Sequence, residues 1–207
     1  MIPKIIHQIW VGTNPMPSRE REYCTEMRRL HPTYEYRFWD DVAVAQDVLP
    51  LNVREKYELF YEKKQWAFCA DVLRLWVVYR FGGFYIDVDF QMLKPFDDFL
   101  PYDGMLMYHR DPIYGEIPNG VFAGAIQHPI FQVCVEKVEK NNHWFGPIWL
   151  GTTVKKQFGY HAHVERALWE ETMKNMNFAN PCWEEWHGAY AIHKALYSWS
   201  DLYVPQP

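Results

Sequence analysis

The longest regular pattern of apolar residues lies in the middle of the chain. Between about Gln65 and Phe81, apolar residues recur every three or four positions, at Ala67, Ala70, Leu73, Trp76, Val77 and Phe81. This spacing predicts an amphipathic helix with one buried stripe, because a helix turns once in 3.6 residues. The pair Gly82-Gly83 follows and is expected to end the helix, since glycine adopts the left-handed terminal conformation without steric cost.

After the glycines the pattern changes to strict alternation. Phe84 to Phe90 predicts a strand with Ile86 and Val88 on one face and Asp87 and Asp89 on the other. Two neighbouring carboxylates repel each other unless a cation lies between them. Such oxygen ligands suit Mg²⁺ or Mn²⁺ that also carries water and substrate phosphates. Taken alone, the Asp-x-Asp motif is equally compatible with chance.

Strands and helices alternate in the N-terminal part of the chain. Lys4–Trp10 predicts a strand, a helix capped by Ser18 runs to about Leu30, and Tyr34–Trp39 predicts a second strand. Asp40 or Asp41 is expected to cap a short helix. Two short strands and a helix are expected later, at Gly104–Tyr108, Val121–Ala125 and Pro129 to about Asn141. This order predicts an α/β fold with a layered sheet.

Composition narrows the class of protein. A chain of 207 residues with 49% hydrophobic residues can form one core and is not disordered. The net charge of -5 argues against nucleic acid as a partner, because no basic surplus neutralises a phosphate backbone. The aromatic share of 18% favours flat ligands such as sugars and bases.

Cysteine usage and hydropathy bear on the compartment. The four cysteines form no Cys-x-x-Cys pair, so neither a zinc knuckle nor a disulfide framework is expected, and a reducing compartment fits. No run of 18 apolar residues and no signal-peptide pattern occurs. The sequence therefore predicts a cytoplasmic protein without a transmembrane segment.

Asp71 and Arg74 are neighbours on one face of the predicted helix. A lone pair of this kind is more often a surface ion pair. Asp71 directly follows the apolar residue Ala70 and Arg74 directly follows Leu73, so we expect them to be half-buried near the acidic pair. There they could bind hydroxyls and phosphate oxygens.

The motifs of the chain resemble those of glycosyltransferase family 32. This family includes yeast-type initiating mannosyltransferases, capsular polysaccharide transferases and, more distantly, the clostridial glucosylating toxins. The matching blocks follow the same order over nearly the whole chain: Ile2–Trp10, Ala70–Arg74, Tyr79–Asp89, Asn119–Ala125, His193 and Ser198-Trp199. The resemblance implies a single GT-A domain over residues 1–207, Rossmann-like with a mixed central sheet. Its nucleotide-binding half would span about 1–90 and end in the DXD motif, and its acceptor-side half would span about 91–207.

The resemblance also implies an activity. Family members transfer a hexose from a nucleotide sugar with retention of anomeric configuration, using Mn²⁺ or Mg²⁺. The implied acceptor is a glycan or lipid-linked sugar, and the implied process is polysaccharide biosynthesis. UDP sugars are favoured as donors, and GDP-mannose is the alternative. We expect front-face attack without a covalent protein nucleophile.

Roles for individual residues follow from the same resemblance. Gln8, Ile9 and Trp10 would line the base and ribose pocket, and Asp71 and Arg74 would bind the donor sugar and diphosphate. Asp87, Asp89 and Asn119 are the implied catalytic residues. Asp89 would bind the metal directly, while Asp87 would contact ribose or sugar and a metal-bound water. The other implied positions are Gly83 and Tyr85 at the donor, His193 near the metal or diphosphate, and Ser198 and Trp199 over the diphosphate.

Several of these residues have simpler interpretations. Trp10 and His7 could belong to the core, Asn119-Gly120 is a common hairpin turn, and His193 could lie on a helix without a ligand. A zinc site formed by His161, His163 and His187 is disfavoured, because no Cys or carboxylate accompanies them at suitable spacing.

Two other classes of protein remain as alternatives. A phosphatase of the haloacid dehalogenase type also carries Asp-x-Asp after a strand, with the first Asp as nucleophile. A non-catalytic carbohydrate-binding module is supported only by the aromatic content.

An N-terminal membrane anchor of the kind that Golgi members of the family carry is not expected, which favours a bacterial-type or viral cytoplasmic enzyme and is compatible with peripheral membrane contact. Acceptor recognition is expected from Tyr108–Pro118 and from Trp144, Trp149, Trp183 and Trp186.

Overall fold

The computed structural model describes residues 1–108, 117–138, 147–158 and 166–194. Ser198, Trp199, Trp144, the His161-x-His163 pair and most of the predicted acceptor loop lie outside these ranges. The described strands are β1 Ile5–Ile9, β2 Glu35–Trp39, β3 Gly83–Ile86, β4 Phe90–Met92, β5 Gly104–Met105, β6 Val121–Gly124, β7 Phe178–Ala179 and β8 Ala191–His193. The described helices are α1 Ser18–Leu30, α2 Asp41–Gln46, α3 Leu51–Glu62, α4 Trp66–Phe81, α5 Pro129–Glu136, α6 Pro147–Gln157, α7 Arg166–Asn175 and α8 Trp183–Trp186.

A mixed sheet with the strand order β2-β1-β3-β6-β5-β7 forms the centre of the fold. β2, β1 and β3 run parallel, and β6 lies antiparallel to β3. The carboxyl ends of the three parallel strands and the start of β6 therefore meet at one edge of the sheet. The α/β class with a mixed central sheet is confirmed. β4 pairs with β8 in a separate two-stranded sheet.

Two hydrophobic clusters cover the two faces of the central sheet. On one face, α4 and α5 contribute residues such as Val77 and Phe131, which pack against Phe122 of β6. On the other face, Met27 of α1 belongs to a cluster with Phe84, whose ring stacks on that of Phe96 with centroids 4.6 Å apart. The alternation of β1 follows this division, since Ile9 belongs to the first cluster and Ile6 to the second.

Helix α4 occupies almost the predicted range, but the prediction of a single buried stripe is wrong. Cys69 and every residue from Asp71 to Val78 are buried. The helix packs against the sheet on one side and against α3 and α5 on others, so almost no side faces solvent. Three-residue and four-residue spacing alone cannot distinguish this helix from a surface helix.

The strand predicted over Phe84–Phe90 is also wrong. β3 ends at Ile86, and the chain turns before β4 begins at Phe90 in the other sheet. We call residues Asp87–Asp89 the DXD turn. The two carboxylates are therefore brought together by a turn at the sheet edge and not by the pleat of one strand.

Smaller differences concern the ends of elements. Asp40 caps α2 as expected, since its carboxylate accepts the Ala43 N–H at 2.9 Å. Ser18 does not cap α1, because it is already the first helical residue and Pro17 precedes it without a side-chain hydrogen bond. α5 ends at Glu136, before the predicted Asn141, and β5 is limited to Gly104–Met105. Within the described ranges, no helix combines the length and the hydropathy needed to cross a membrane.

His7 is a core histidine with both ring nitrogens hydrogen-bonded. Its Nε2–H donates to the Gly82 carbonyl at 2.8 Å, and its Nδ1 accepts the Trp39 Nε1–H at 3.1 Å. A second proton would sit on Nδ1 and face the Trp39 donor. Burial lowers the pKa of His7 to about 4. The hydrogen bond to Gly82 and the negative charge of Glu35 oppose this shift, and the positive charge of Arg37 adds to it.

We expect His7 to make the protein less stable in acid. The pKa of His7 in the folded protein lies below the ordinary 6.5. The stabilisation that comes from keeping His7 neutral is therefore complete above pH 6.5 and is lost as the pH falls toward 4. The full effect is roughly 3 kcal/mol. Asp71, whose pKa burial raises to about 7, acts in the opposite direction, so the comparison must be made with a His7→Gln variant. Between about pH 7.5 and 4.5, the wild type should lose about 2 to 3 kcal/mol more in urea unfolding than the variant. Equal losses of unfolding free energy in the two proteins would contradict the description of His7 as a buried neutral histidine.

Candidate active site

The edge where β1, β3 and β6 meet carries a pocket with the DXD turn in its wall. Asp87 and Asp89 border it, together with Arg74 of α4 and Tyr85 of β3. The remaining wall is mostly apolar and comes from the end of β1 and the start of α4: Ile9, Trp10, Val11, Asn14, Trp66, Ala67, Ala70 and Val88.

Arg74 is the centre of a buried hydrogen-bonded cluster. Its guanidinium nitrogen Nη2 lies 3.2 Å from Asp71 Oδ1 and 3.3 Å from Asp87 Oδ1. Its Nη1 donates to the Asn119 carbonyl at 2.9 Å, and the guanidinium lies 4.7 Å from the centre of the Tyr85 ring. Asn119 completes the cluster, because its side-chain amide donates to Asp71 at 2.9 Å.

The cluster lies deeper than the sequence indicates. Asp71 and Arg74 each expose only 7% of their surface, so the expectation of half-buried side chains is wrong. α4 crosses the sheet beneath the pocket, which places the whole Asp71–Arg74 pair inside the protein. The Asn119 amide is engaged with Asp71, and Asn119-Gly120 immediately precedes β6, so the interpretation as a hairpin turn does not hold.

Asp87 is held from several directions. The Tyr85 hydroxyl and Arg74 both contact its Oδ1, and its N–H donates to the Gly120 carbonyl at 2.8 Å. Burial raises the pKa of Asp87; Arg74 opposes this shift, and the nearby Asp89 charge adds to it. One carboxylate oxygen of Asp87 is thus committed to the protein.

Asp89 is held on the opposite side of the turn. Its Oδ2 lies 3.3 Å from Nε2 of His193 in β8, and its carbonyl accepts the Lys194 N–H at 3.0 Å. His193 stacks on Phe90 with ring centroids 4.5 Å apart. Burial lowers the pKa of His193, but the hydrogen bond and charge of Asp89 outweigh it and raise the pKa above its ordinary value. His193 therefore lies on a strand beside the DXD turn and not on a helix.

The aromatic wall of the pocket depends on Gly12. This residue has φ +102°, and a Cβ there would lie 2.6 Å from the Trp66 ring. The loop after β1 can therefore lie directly on Trp66 only because residue 12 lacks a side chain. The Gly12 N–H also donates to the Asp41 carboxylate at 3.1 Å.

The structure sorts the sequence-predicted residues into three groups. Ile9, Trp10, Arg74, Tyr85, Asp87 and Asp89 border the pocket. Asp71, Asn119 and His193 contact residues that border it. Gln8 and Gly83 do not border the pocket. Gln8 lies on the other face of β1 and reaches, of the pocket residues, only the backbone carbonyl of Asp87, at 3.4 Å. Gly83 lies at the far end of β3, where a Cβ would meet the Ile5 carbonyl at 2.5 Å.

Sequence reasoning missed Trp66 and Ala67. Both lie in the first turn of α4, just before the Ala70–Arg74 motif, and both border the pocket. An aromatic residue at the start of a helix that faces a glycine loop is the signal that could have identified Trp66.

The residues present fit a divalent cation that is only partly held by protein. Two carboxylates face the pocket, and oxygen ligands suit Mg²⁺ or Mn²⁺. Among the described residues, no group of three or more His, Cys, Asp or Glu side chains could hold a metal ion by itself. Water and phosphate would supply the remaining ligands, as Mg²⁺ prefers. Both carboxylates already have protein contacts, Asp87 Oδ1 with Tyr85 and Arg74 and Asp89 Oδ2 with His193, so Asp89 as the direct ligand stays a prediction.

A larger cavity lies elsewhere, between α2 and α3. It measures about 400 Å³ and is bordered by Tyr57 and Tyr61, among others, whereas the enclosed part of the DXD pocket measures about 40 Å³. We place the candidate active site at the smaller pocket, because perturbed buried carboxylates mark functional sites better than volume does.

The mixed central sheet with the DXD turn at its edge is a fold of the GT-A type. A solved structure described as "PaToxG Glycosyltransferase" is similar, with a TM-score of 0.63 over 84% of this chain and 76% of that one, at 17% identity. Residues 17–106 match the family described as "Glycosyltransferase sugar-binding region containing DXD motif". The chain is thus similar to glycosyltransferase family 32, and the resemblance seen in its motifs is confirmed.

Curated relatives agree with this assignment. The chain is 30% identical over 159 residues to inositol phosphoceramide mannosyltransferase 2 of Schizosaccharomyces pombe, covering 70% of this chain and 41% of that protein. It is 32% identical over 134 residues to an uncharacterized glycosyltransferase of Acanthamoeba polyphaga mimivirus, covering 63% of this chain and 53% of that protein. The chain therefore spans about half the length of these relatives.

Proposed function

We propose that this chain is a metal-dependent, retaining glycosyltransferase that moves a hexose from a nucleotide sugar to a hydroxyl acceptor. The observation that carries the proposal is the DXD turn in the wall of a pocket whose other wall is aromatic. The family match over residues 17–106 supports the same conclusion.

Different pocket residues would bind different parts of the donor. Trp10, Trp66 and Ile9 offer apolar and aromatic surface for the base, and Asp89 faces the place where the diphosphate would lie. The pocket is small, about 40 Å³, which is the scale of a bound water, so the donor would lie across its mouth. A divalent cation bound there would neutralise the charge that develops on the leaving diphosphate.

Asp87 has a different role from Asp89. With Tyr85 and Arg74 bonded to its Oδ1, it is a poor candidate for a covalent nucleophile. This contact favours front-face attack for retention, and it disfavours a phosphatase of the haloacid dehalogenase type, which needs the first Asp as nucleophile.

The donor and acceptor are proposed only as classes of compound. UDP sugars remain the first choice of donor and GDP-mannose the second. Both should be screened, because one relative is a mannosyltransferase. The name of that relative also extends the acceptor class to glycolipid headgroups, alongside glycans and lipid-linked sugars. The cytoplasmic location and the role in polysaccharide biosynthesis remain predictions.

A thermal-shift screen tests the proposal. A ligand that binds the folded state raises its stability in proportion to ln(1 + [L]/Kd). We expect UDP or GDP, with their sugars, to raise Tm by several degrees in the presence of Mn²⁺ and by less in its absence. Adenine nucleotides and free glycans serve as controls.

Two outcomes would contradict the proposal. Stabilisation by free glycan without nucleotide or metal would favour a carbohydrate-binding module. Release of phosphate from a simple monoester, without release of UDP or GDP from any nucleotide sugar, would favour the phosphatase.

A further inference from the structure

Gln8 lies on the face of β1 that points away from the pocket. Ile9 borders the pocket, and since side chains alternate along a strand, Gln8 points to the opposite face with Ile6. Gln8 is fully buried there, on the side covered by α1. A base or ribose in the pocket would therefore not reach its amide.

The Gln8 amide connects β2 to the DXD turn. The Tyr36 hydroxyl donates to Gln8 Oε1 at 2.7 Å, and Gln8 Nε2 donates to the Asp87 carbonyl at 3.4 Å. Asp87 is the first residue after β3. The amide thus supplies a donor at the point where the backbone ladder between β1 and β3 ends, so the chain can turn away without losing a hydrogen bond.

Tyr36 is itself fixed in place. The Arg28 guanidinium of α1 lies 3.9 Å from the centre of its ring, a distance at which a cation is attracted to an aromatic face. A series of contacts therefore leads from α1 through β2 and β1 to the DXD turn.

The backbone of the turn is also held by two backbone–backbone hydrogen bonds. The Asp87 N–H donates to the Gly120 carbonyl, and the Lys194 N–H donates to the Asp89 carbonyl. The Gln8 contact differs because a substitution can remove it without changing the backbone of either partner. Burying an amide is unfavourable unless it is hydrogen-bonded, so these two bonds are the physical reason a glutamine can occupy this position.

We propose that Gln8 and Tyr36 are positioning residues that set the direction of the DXD turn, and that Gln8 does not contact the donor. The inference rests on the proposed function, because it assigns the turn the task of presenting Asp89 to the donor. It replaces the donor-binding role that the family resemblance implies for Gln8.

Tyr36→Phe is the main test variant. It keeps the ring under Arg28 and removes only the hydroxyl that orients Gln8. Tyr34→Phe is the matched control, because Tyr34 packs on the same hydrophobic cluster and, within the described residues, its hydroxyl makes no hydrogen bond to Gln8 or to the turn. Gln8→Met, which removes both bonds at similar volume, is the second variant.

Three measurements on the whole chain separate the roles. We expect Tyr36→Phe and Gln8→Met to raise amide hydrogen exchange at residues 87–89 by about tenfold. We expect kcat for nucleotide-sugar cleavage to fall by about tenfold, because misplacement of a catalytic group has effects of this size or larger. The Kd values for UDP and GDP, measured without metal, should change by less than about twofold. Tyr34→Phe should match the wild type in all three.

Either of two results would overturn the inference. Exchange and kcat in Tyr36→Phe that equal those of Tyr34→Phe would remove the positioning role. A weaker Kd for UDP or GDP in Gln8→Met, with unchanged exchange at 87–89, would restore Gln8 as a donor ligand. If the wild type cleaves no nucleotide sugar, the proposed function fails, while the exchange rates still decide whether Gln8 holds the turn.

Discussion

Asp89→Asn is expected to reduce release of UDP or GDP from the nucleotide sugar by about 10²- to 10³-fold. The substitution keeps the shape of the side chain and removes the negative charge that faces the pocket. Loss of one charge-stabilising contact at a reacting centre typically has an effect of this size. The rate should be measured over a series of Mn²⁺ concentrations, and the response of the variant to Mn²⁺ should be much flatter than that of the wild type.

Asp98→Asn is a suitable control for this substitution. Asp98 forms an exposed ion pair with Lys94 and does not border the pocket, so the same chemical change there should leave the rate within about twofold of the wild type. An Asp89→Asn protein that folds and keeps more than about a third of the wild-type rate would remove Asp89 from the catalytic machinery.

The class of fold was predictable from local patterns, but the path of the chain at the site was not. β1, α1, β2 and the cap of α2 follow from apolar spacing and from Asp40, because these signals act within a few residues. The break after Ile86 does not, since the alternation of Ile86, Val88 and Phe90 continues across it. All three side chains are buried, and a turn that moves Phe90 into the other sheet produces the same pattern as a continued strand.

The two aspartates that the sequence singles out border the pocket, whereas the residues that reach the DXD turn from a distance were harder to predict. Gln8 and Ile9 are adjacent in the sequence, yet alternation places only Ile9 at the pocket. The contacts of Arg74 with Asp87 and with the Asn119 carbonyl join residues 13 and 45 positions apart. No spacing rule predicts such contacts, because they depend on how α4 crosses beneath β3 and β6.

Burial of the Arg74 cluster has a consequence for both stability and function. The guanidinium is the cation shared by the carboxylates of Asp71 and Asp87. Asp71 and Arg74 are buried, where an unpaired charge is costly, and Asp87 is partly buried. Burial lowers the pKa of Arg74, but the charge of Asp87 and further contributions from Tyr85, Asp71 and Asp89 outweigh it and raise the pKa. The cluster should therefore behave as one unit.

Arg74→Met is accordingly expected to destabilise the protein by about 3 kcal/mol, because it leaves the buried Asp71 and the partly buried Asp87 without their cation. The measurement is urea unfolding at neutral pH. Combining it with Asp71→Asn should recover part of the loss, since one of the two uncompensated charges is then absent and the Asn119 contact can persist. Arg29→Met, which removes the exposed partner of Glu26, is the control and should change stability far less. If Arg74→Met and Arg29→Met unfold at the same urea concentration, Arg74 does not hold these carboxylates together, and the electrostatic account of how the site is built would be wrong.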